Sequence, residues 1–231
     1  MRANRFNGKK SSTPRDQRGV VLLITLIILV AMTLAGIGMM RSVDTGGVIA
    51  GNMAFRQATL NASDAGSAAG FNSLMSVANS GNGADRSVLN FNNGQPCPAG
   101  ATPSLCSGGN INLPGYASTP LLACEVSNTC AVGPPWWSAD ASWNGAPTTT
   151  VKDTSGATIA TVSFLIHRMC QSPSVSPSGA GQLCQTFTQT ATGCSKTVPP
   201  LPCVNTSIFY RITTRSLGTR STTYAQTLVL L

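Results

Sequence analysis

The chain has 231 residues, enough for one ordinary domain plus a membrane segment, or at most two small domains. Its formal charge of +8 is unevenly placed: Arg2, Arg5, Lys9, Lys10, Arg15 and Arg18 face only Asp16 in residues 1–19, whereas nine basic and six acidic residues share the rest. The imbalance is that of a basic flank left on the cytoplasmic side of a membrane, and no basic run interleaved with aromatics follows it, which excludes nucleic acid as a partner.

Residues 1–19 are polar and carry no apolar pattern, with Pro14 as a breaker, so they are expected to be disordered or removed. Residues 20–40, VVLLITLIILVAMTLAGIGMM, follow without a charge, and only Thr25 and Thr33 bring hydroxyls. As a helix rising about 1.5 Å per residue, this run spans roughly 30 Å, the thickness of a bilayer's hydrocarbon core. Gly46 and Gly47 then weaken the helix by about 1 kcal/mol each relative to alanine and predict a soft spot or kink. Beyond Asn52 helical character returns. Ala58, Ala62, Ala65 and Ala69 form a stripe of small side chains that lets a partner approach the backbone, with Phe71, Leu74, Met75 and Ala78 on a neighbouring stripe. The breaker cluster SGNG at residues 80–83 ends the helix near Ala78. Its length of about 58 residues, roughly 85 Å, exceeds what one bilayer requires, so its second half projects outward.

Residues 85–158 are rich in turn formers and read as loops and short strands stapled by disulfides. In residues 158–168, Ala160, Val162, Phe164 and Ile166 alternate with Thr161, Ser163, Leu165 and His167, which predicts a strand with one apolar and one mostly polar face. Residues 172–203 read as a long pinned loop. Residues 207–215 and 222–231, joined by a short Gly-containing turn, predict an antiparallel hairpin.

All eight cysteines (Cys97, Cys106, Cys124, Cys130, Cys170, Cys184, Cys194 and Cys203) lie beyond the apolar run. An even number in a loop-rich region beyond a membrane segment points to disulfides in an oxidising compartment, and pairing of sequence neighbours is the simplest arrangement of the 105 available. Metal binding is disfavoured, because no C-x2-C knuckle is present and the chain has a single histidine. That residue, His167, has no acidic neighbour in sequence and is expected to face solvent. Trp136 and Trp137, in GPPWW, read either as an adhesive aromatic patch or as the cover of a thin core. Asp140 and Asp153 are too isolated for a calcium loop. No Gly-rich phosphate loop or nucleophile elbow is present, and nothing implies a cofactor or an enzyme.

The junction before the apolar run is the most informative feature. A secretory signal peptide has an apolar core of about 7 to 15 residues followed by a small-residue cleavage site, whereas here Gly19 precedes a longer core. Basic residue, Gly19 and uninterrupted apolar helix together resemble the class III leader of type IV prepilins. The stretch QRGVVLLITLIILVAMTLAGIGMMRS followed by IAGNMAFRQATLNASDAG resembles, more narrowly, the amino-terminal region of PilX-type minor pilins, in its block Ala50, Gly51, Asn52, Arg56, Gln57, Ala58, Asp64 and Ala65. The final hairpin is similar to that family's carboxy-terminal segment, though less distinctively.

The resemblance implies cleavage by prepilin peptidase between Gly19 and Val20, with Val20 as the N-methylated new terminus. It also implies an α+β, type IV pilin-like fold: 1–19 a cleaved basic leader, 20–79 a long helix whose residues 20–40 are transmembrane and later filament core, and 80–231 a periplasmic disulfide-rich β domain ending in a hairpin. Leu22, Leu23, Ile24, Leu26, Ile27 and Leu29 are the implied membrane and filament packing residues. Major pilins usually carry phenylalanine and glutamate where this chain has Val20 and Ile24. A carboxylate buried in lipid needs a partner, so its replacement by Ile24 suits a subunit with none above it, at a filament tip; the alternative is a low-copy pilin that simply tolerates the loss. The implied function is that of a minor pilin priming type IV pilus assembly. Its implied partners are other minor pilins, the major pilin, the inner-membrane assembly platform and a large tip adhesin. It would reside in the inner membrane before assembly and in the pilus at the cell surface afterwards. The alternative is a signal-anchored cell-surface adhesion or binding protein that uses its tryptophans and loops.

Overall fold

The computed structural model describes residues 18–120, 124–127, 135–191 and 203–231. The chain divides into two compact units, Met1–Asn52 and Met53–Leu231. A single helix, α1 (Arg18–Ala78), contributes to both and runs unbroken through Gly46 and Gly47, where the sequence predicts a soft spot. It ends where the breaker cluster predicts, at Ala78.

The second unit is α+β. After α1 come α2 (Gly83–Val88), a two-residue hairpin β1 (Cys106–Ser107) and β2 (Asn110–Ile111), then β3 (Tyr116–Ala117) and the short α3 (Cys124–Ser127). The sheet is completed by β4 (Thr148–Lys152), β5 (Thr158–Arg168), β6 (Thr186–Ala191), β7 (Cys203–Gly218) and β8 (Thr222–Leu230). Its centre is the antiparallel pair β5 and β7, in register from Ala160 opposite Gly218 to Arg168 opposite Tyr210. β8 flanks the far side of β7, forming the predicted hairpin. β4 runs antiparallel along one end of β5 and β3 runs parallel along the other, so the sheet is mixed.

Part of the stretch read as a long pinned loop is strand β6, which pairs with the first residues of β7. Phe209 accepts from the Met169 amide and donates to the Gln185 carbonyl, so β6 takes over from β5 along one edge of β7. A disulfide between Cys170 and Cys184 closes the intervening excursion. A loop of this length constrains the unfolded chain by about 3 kcal/mol in the chain-entropy account. Cys97 is bonded to Cys106. The expected pairs Cys124 with Cys130 and Cys194 with Cys203 involve side chains outside the described residues.

The docking of α1 on the sheet uses only part of the expected alanine stripe, with Ala62 buried and Ala69 packed against the core. Thr59, Ala62, Ser63, Gly66, Gly70, Leu74 and Val77 are buried, whereas Ala65 and Phe71 are exposed. Two glycines set the distance. A Cβ on Gly66 would stand 2.4 Å from Val162 Cγ1, and one on Gly70 would stand 2.8 Å from Ile212 Cγ2. The helix backbone therefore rests on the even-numbered side chains of β5 and β7 without side chains of its own at those points. Further along, Leu74 and Val77 take over and close a core with Leu89, Ile111, Phe164, Ile166 and Ile212.

Asn82 caps α2, its side chain accepting from the Ala84 amide at 3.0 Å. The buried Asp85 accepts from the amide and hydroxyl of Thr102, at 2.7 and 2.9 Å, fastening the first disulfide loop to α2. The Thr102 amide, foremost, holds this carboxyl below its ordinary range. Arg168, fully buried at the end of β5, donates to Ser118 O, Asn90 Oδ1, Ser172 O and Val175 O. One guanidinium thus joins three segments to β5 through four neutral acceptors.

Gly66→Ala is expected to lower stability by about 1–2 kcal/mol, overpacking at Val162 outweighing the gain of about 1 kcal/mol in helix propensity. Gly51→Ala, whose Cβ meets nothing within 4 Å, is expected to be neutral or stabilising. Thermal unfolding of the full chain in detergent micelles compares them, and equal behaviour would refute this account of the docking.

Candidate functional site

Two regions stand out, one in each unit. In the first, the apolar residues of 20–40 are exposed around the whole circumference of α1, Leu22, Leu23, Leu26, Ile27 and Leu29 among them, and Ile24 is 49% exposed. A helix apolar on every side has no face suited to water. Its two hydroxyls are turned inward, Thr25 Oγ1 donating to Leu22 O and Thr33 Oγ1 to Val30 O, both at 2.9 Å. Such bonding leaves neither hydroxyl dependent on water. The helix is long and apolar enough to cross a membrane. Gly19 and Val20 lie within its first turn, and a Cβ on Gly19 would meet nothing within 4 Å.

In the second unit the sheet face opposite α1 carries the odd-numbered residues of β5 and β7. Two short 3-10 turns, Trp136–Ser138 and Asp140–Trp143, form a strap across it. Arg211, on β7, makes a two-pronged ion pair with Glu125, at 3.1 and 2.9 Å, and its guanidinium lies 5.5 Å from the centre of the Trp136 ring. Trp136 Nε1 donates to the same carboxylate at 3.0 Å. Four residues along β7, Arg215 repeats the pattern: it lies 5.0 Å from the Trp143 ring centre and pairs with Asp140 at 2.6 Å. The two pairs differ in surroundings. Arg211 and Glu125 are both largely buried, so removing either strands a charge, whereas Asp140 is 97% exposed and its pair is screened by water. Trp143 is itself buried, and its Nε1 donates to Trp137 O at 2.8 Å, tying the two turns together.

His167 belongs to this cluster and does not face solvent. It is 3% exposed, its ring 5.1 Å from that of Trp136, and its Nδ1 has no hydrogen-bond partner among the described residues. Burial, reinforced by the nearby Arg211 charge and opposed by Glu125, pulls its pKa down to about 4. Its expected exposure fails because Glu125 and the tryptophans, distant in sequence, cover what alternation marks as a polar face. Trp136 and Trp137 meet edge to face, 5.5 Å apart, and both are half-buried. Trp136 makes internal contacts with Glu125, Arg211 and His167. Glu125, Arg211 and Arg215 escape a sequence reading. Their one signal is a pair of arginines four apart on a strand, which places both on one face. Asp153 closes a turn on the Ser155 and Ala157 amides. Among the described residues no group of three or more His, Cys, Asp or Glu gathers as a metal site.

No family model, no curated protein and no solved structure matches the chain.

The buried histidine makes stability depend on pH. Its folded pKa of about 4 lies below the ordinary 6.5, so the unfolded chain binds more protons between these values. Stability is full above pH 7, falls as pH drops through 6.5 and levels off below 4. About 2 kcal/mol should be lost between pH 8 and pH 5. In denaturant titrations of the full chain, His167→Gln should abolish most of that loss; an unchanged loss would assign it elsewhere.

Proposed function

We propose that the chain is a minor pilin of the type IV pilus, a structural subunit that helps prime filament assembly at the tip. Its fold is then the type IV pilin fold. The observation that carries the reading is α1: an apolar segment exposed on every side, with its hydroxyls satisfied internally, continues into a segment that docks through glycines on the antiparallel pair β5 and β7. Such a helix serves two environments. Before assembly residues 20–40 sit in the inner membrane with the amino terminus cytoplasmic and the β domain periplasmic; afterwards the same surface packs against neighbouring pilin helices. The resemblance of residues 17–70 to PilX-type pilins supports the cleavage site, the N-methylated Val20 and the partners: other minor pilins, the major pilin, the assembly platform and a tip adhesin. Ile24 supports the tip position, since it offers no carboxylate to a terminus above it.

Mass spectrometry of the mature chain tests this. The expected terminus is N-methylated Val20, and Gly19→Val should leave the leader attached. An intact Met1, or a cut beyond Ala35, would overturn the proposal in favour of a signal-anchored adhesion protein. End-labelled sheared filaments test the tip placement: label at one end supports it, and even label along the shaft refutes it.

A further inference from the structure

The two long edges of the sheet are finished differently. On one side the edge is made of three fragments: β3 has two residues between Pro114 and Pro120, β4 follows Pro147, shifts register at Val151/Lys152 and ends on a lysine, and β6 is six residues long. Short pieces, proline, a bulge and a charge are the usual devices that stop an edge from recruiting another strand. On the other side β8 has none of them. Residues 222–231, TTYAQTLVLL, contain no charge, proline or glycine, and the pairing of β8 with β7 runs without a register shift from Leu230 to Thr222. Among the described residues no strand pairs with its outer side.

The parity of that edge is fixed. Ile208 and Leu231 exchange both backbone hydrogen bonds, at 2.7 and 3.0 Å. In an antiparallel ladder residues 229, 227, 225 and 223 then also bond to β7, and the N–H and C=O groups of Leu230, Leu228, Gln226, Tyr224 and Thr222 point away from the sheet. Leu228 and Leu230, on this set, are 59% and 40% exposed on the face opposite α1.

We infer that the outer edge of β8 is a docking site for an extended, uncharged peptide strand of another polypeptide, which adds to the sheet and lays apolar side chains at alternate positions beside Leu228 and Leu230. The backbone groups decide the class of partner, because only a polypeptide in extended conformation offers donors and acceptors at this spacing. The absence of charge selects an uncharged strand. The inference is independent of the pilus assignment, which rests on α1.

Residue-resolved amide exchange on the full chain in detergent micelles tests it. The probe is a synthetic decapeptide alternating threonine with leucine or valine, capped by one lysine for solubility. In the free chain the amides of 222, 224, 226, 228 and 230 should exchange fast and those of 223, 225, 227 and 229 slowly. The probe should slow the first set by on the order of tenfold or more and leave the second unchanged. Leu228→Lys should abolish the slowing, with the inward amides still protected as proof of folding. Slow outward amides in the free chain, no slowing by the probe, or equal slowing in Leu228→Lys would each overturn the inference.

Discussion

Everything in the second unit depends on how closely α1 can lie on the sheet. At Gly66 and Gly70 the helix presents bare backbone, and Val162 and Ile212 fill the space a Cβ would need. Close packing permits no intermediate: either the helix has no side chain there or the sheet must move. That contact fixes which residues of β5 and β7 face inward, since side chains alternate along a strand. Ala160, Val162, Phe164, Ile166 and Ile212 go to the helix, so Ser163, His167, Arg211 and Arg215 must go to the opposite face.

The opposite face is covered in another way. The helix side is sealed by apolar surface, whereas the strap side is sealed by arginines lying against indole rings with carboxylates beside them. Indole faces attract cations, and Trp136 also donates to Glu125, so the same ring roofs the pair and bonds to it. Burying charges is costly, and the geometry compensates only while all three groups are in place. The strap is therefore held by direction and partner identity more than by area.

Much of this is legible in the sequence. The alternation at 158–168 marks β5 at both bounds, the breaker cluster marks the end of α1, and the final hairpin reads from its β-rich halves and Gly-containing turn. What escaped did so for physical reasons. The alanine stripe and the glycine contact occupy neighbouring rows of one helix, and which row faces a sheet is decided by tertiary packing. His167 looks exposed because alternation reports only one strand, and the residues that bury it are supplied by Glu125 and by the Trp136 strap. β6 is hidden in polar, Thr-rich sequence whose strand character comes from the partner it finds on β7.

Arg168 gives the lower end of the unit a different character. Its charge has no carboxylate to neutralise it among its hydrogen-bond partners, only the oxygens of Asn90, Ser118, Ser172 and Val175. If any one of these segments opened alone, a buried cation would lose an acceptor it cannot replace. The excursion closed by Cys170 and Cys184, the residues after α2 and the end of β3 are consequently bound to β5 in a single cooperative block. Loops of this composition ordinarily open in small local fluctuations, but here the cheapest opening is that of the whole block.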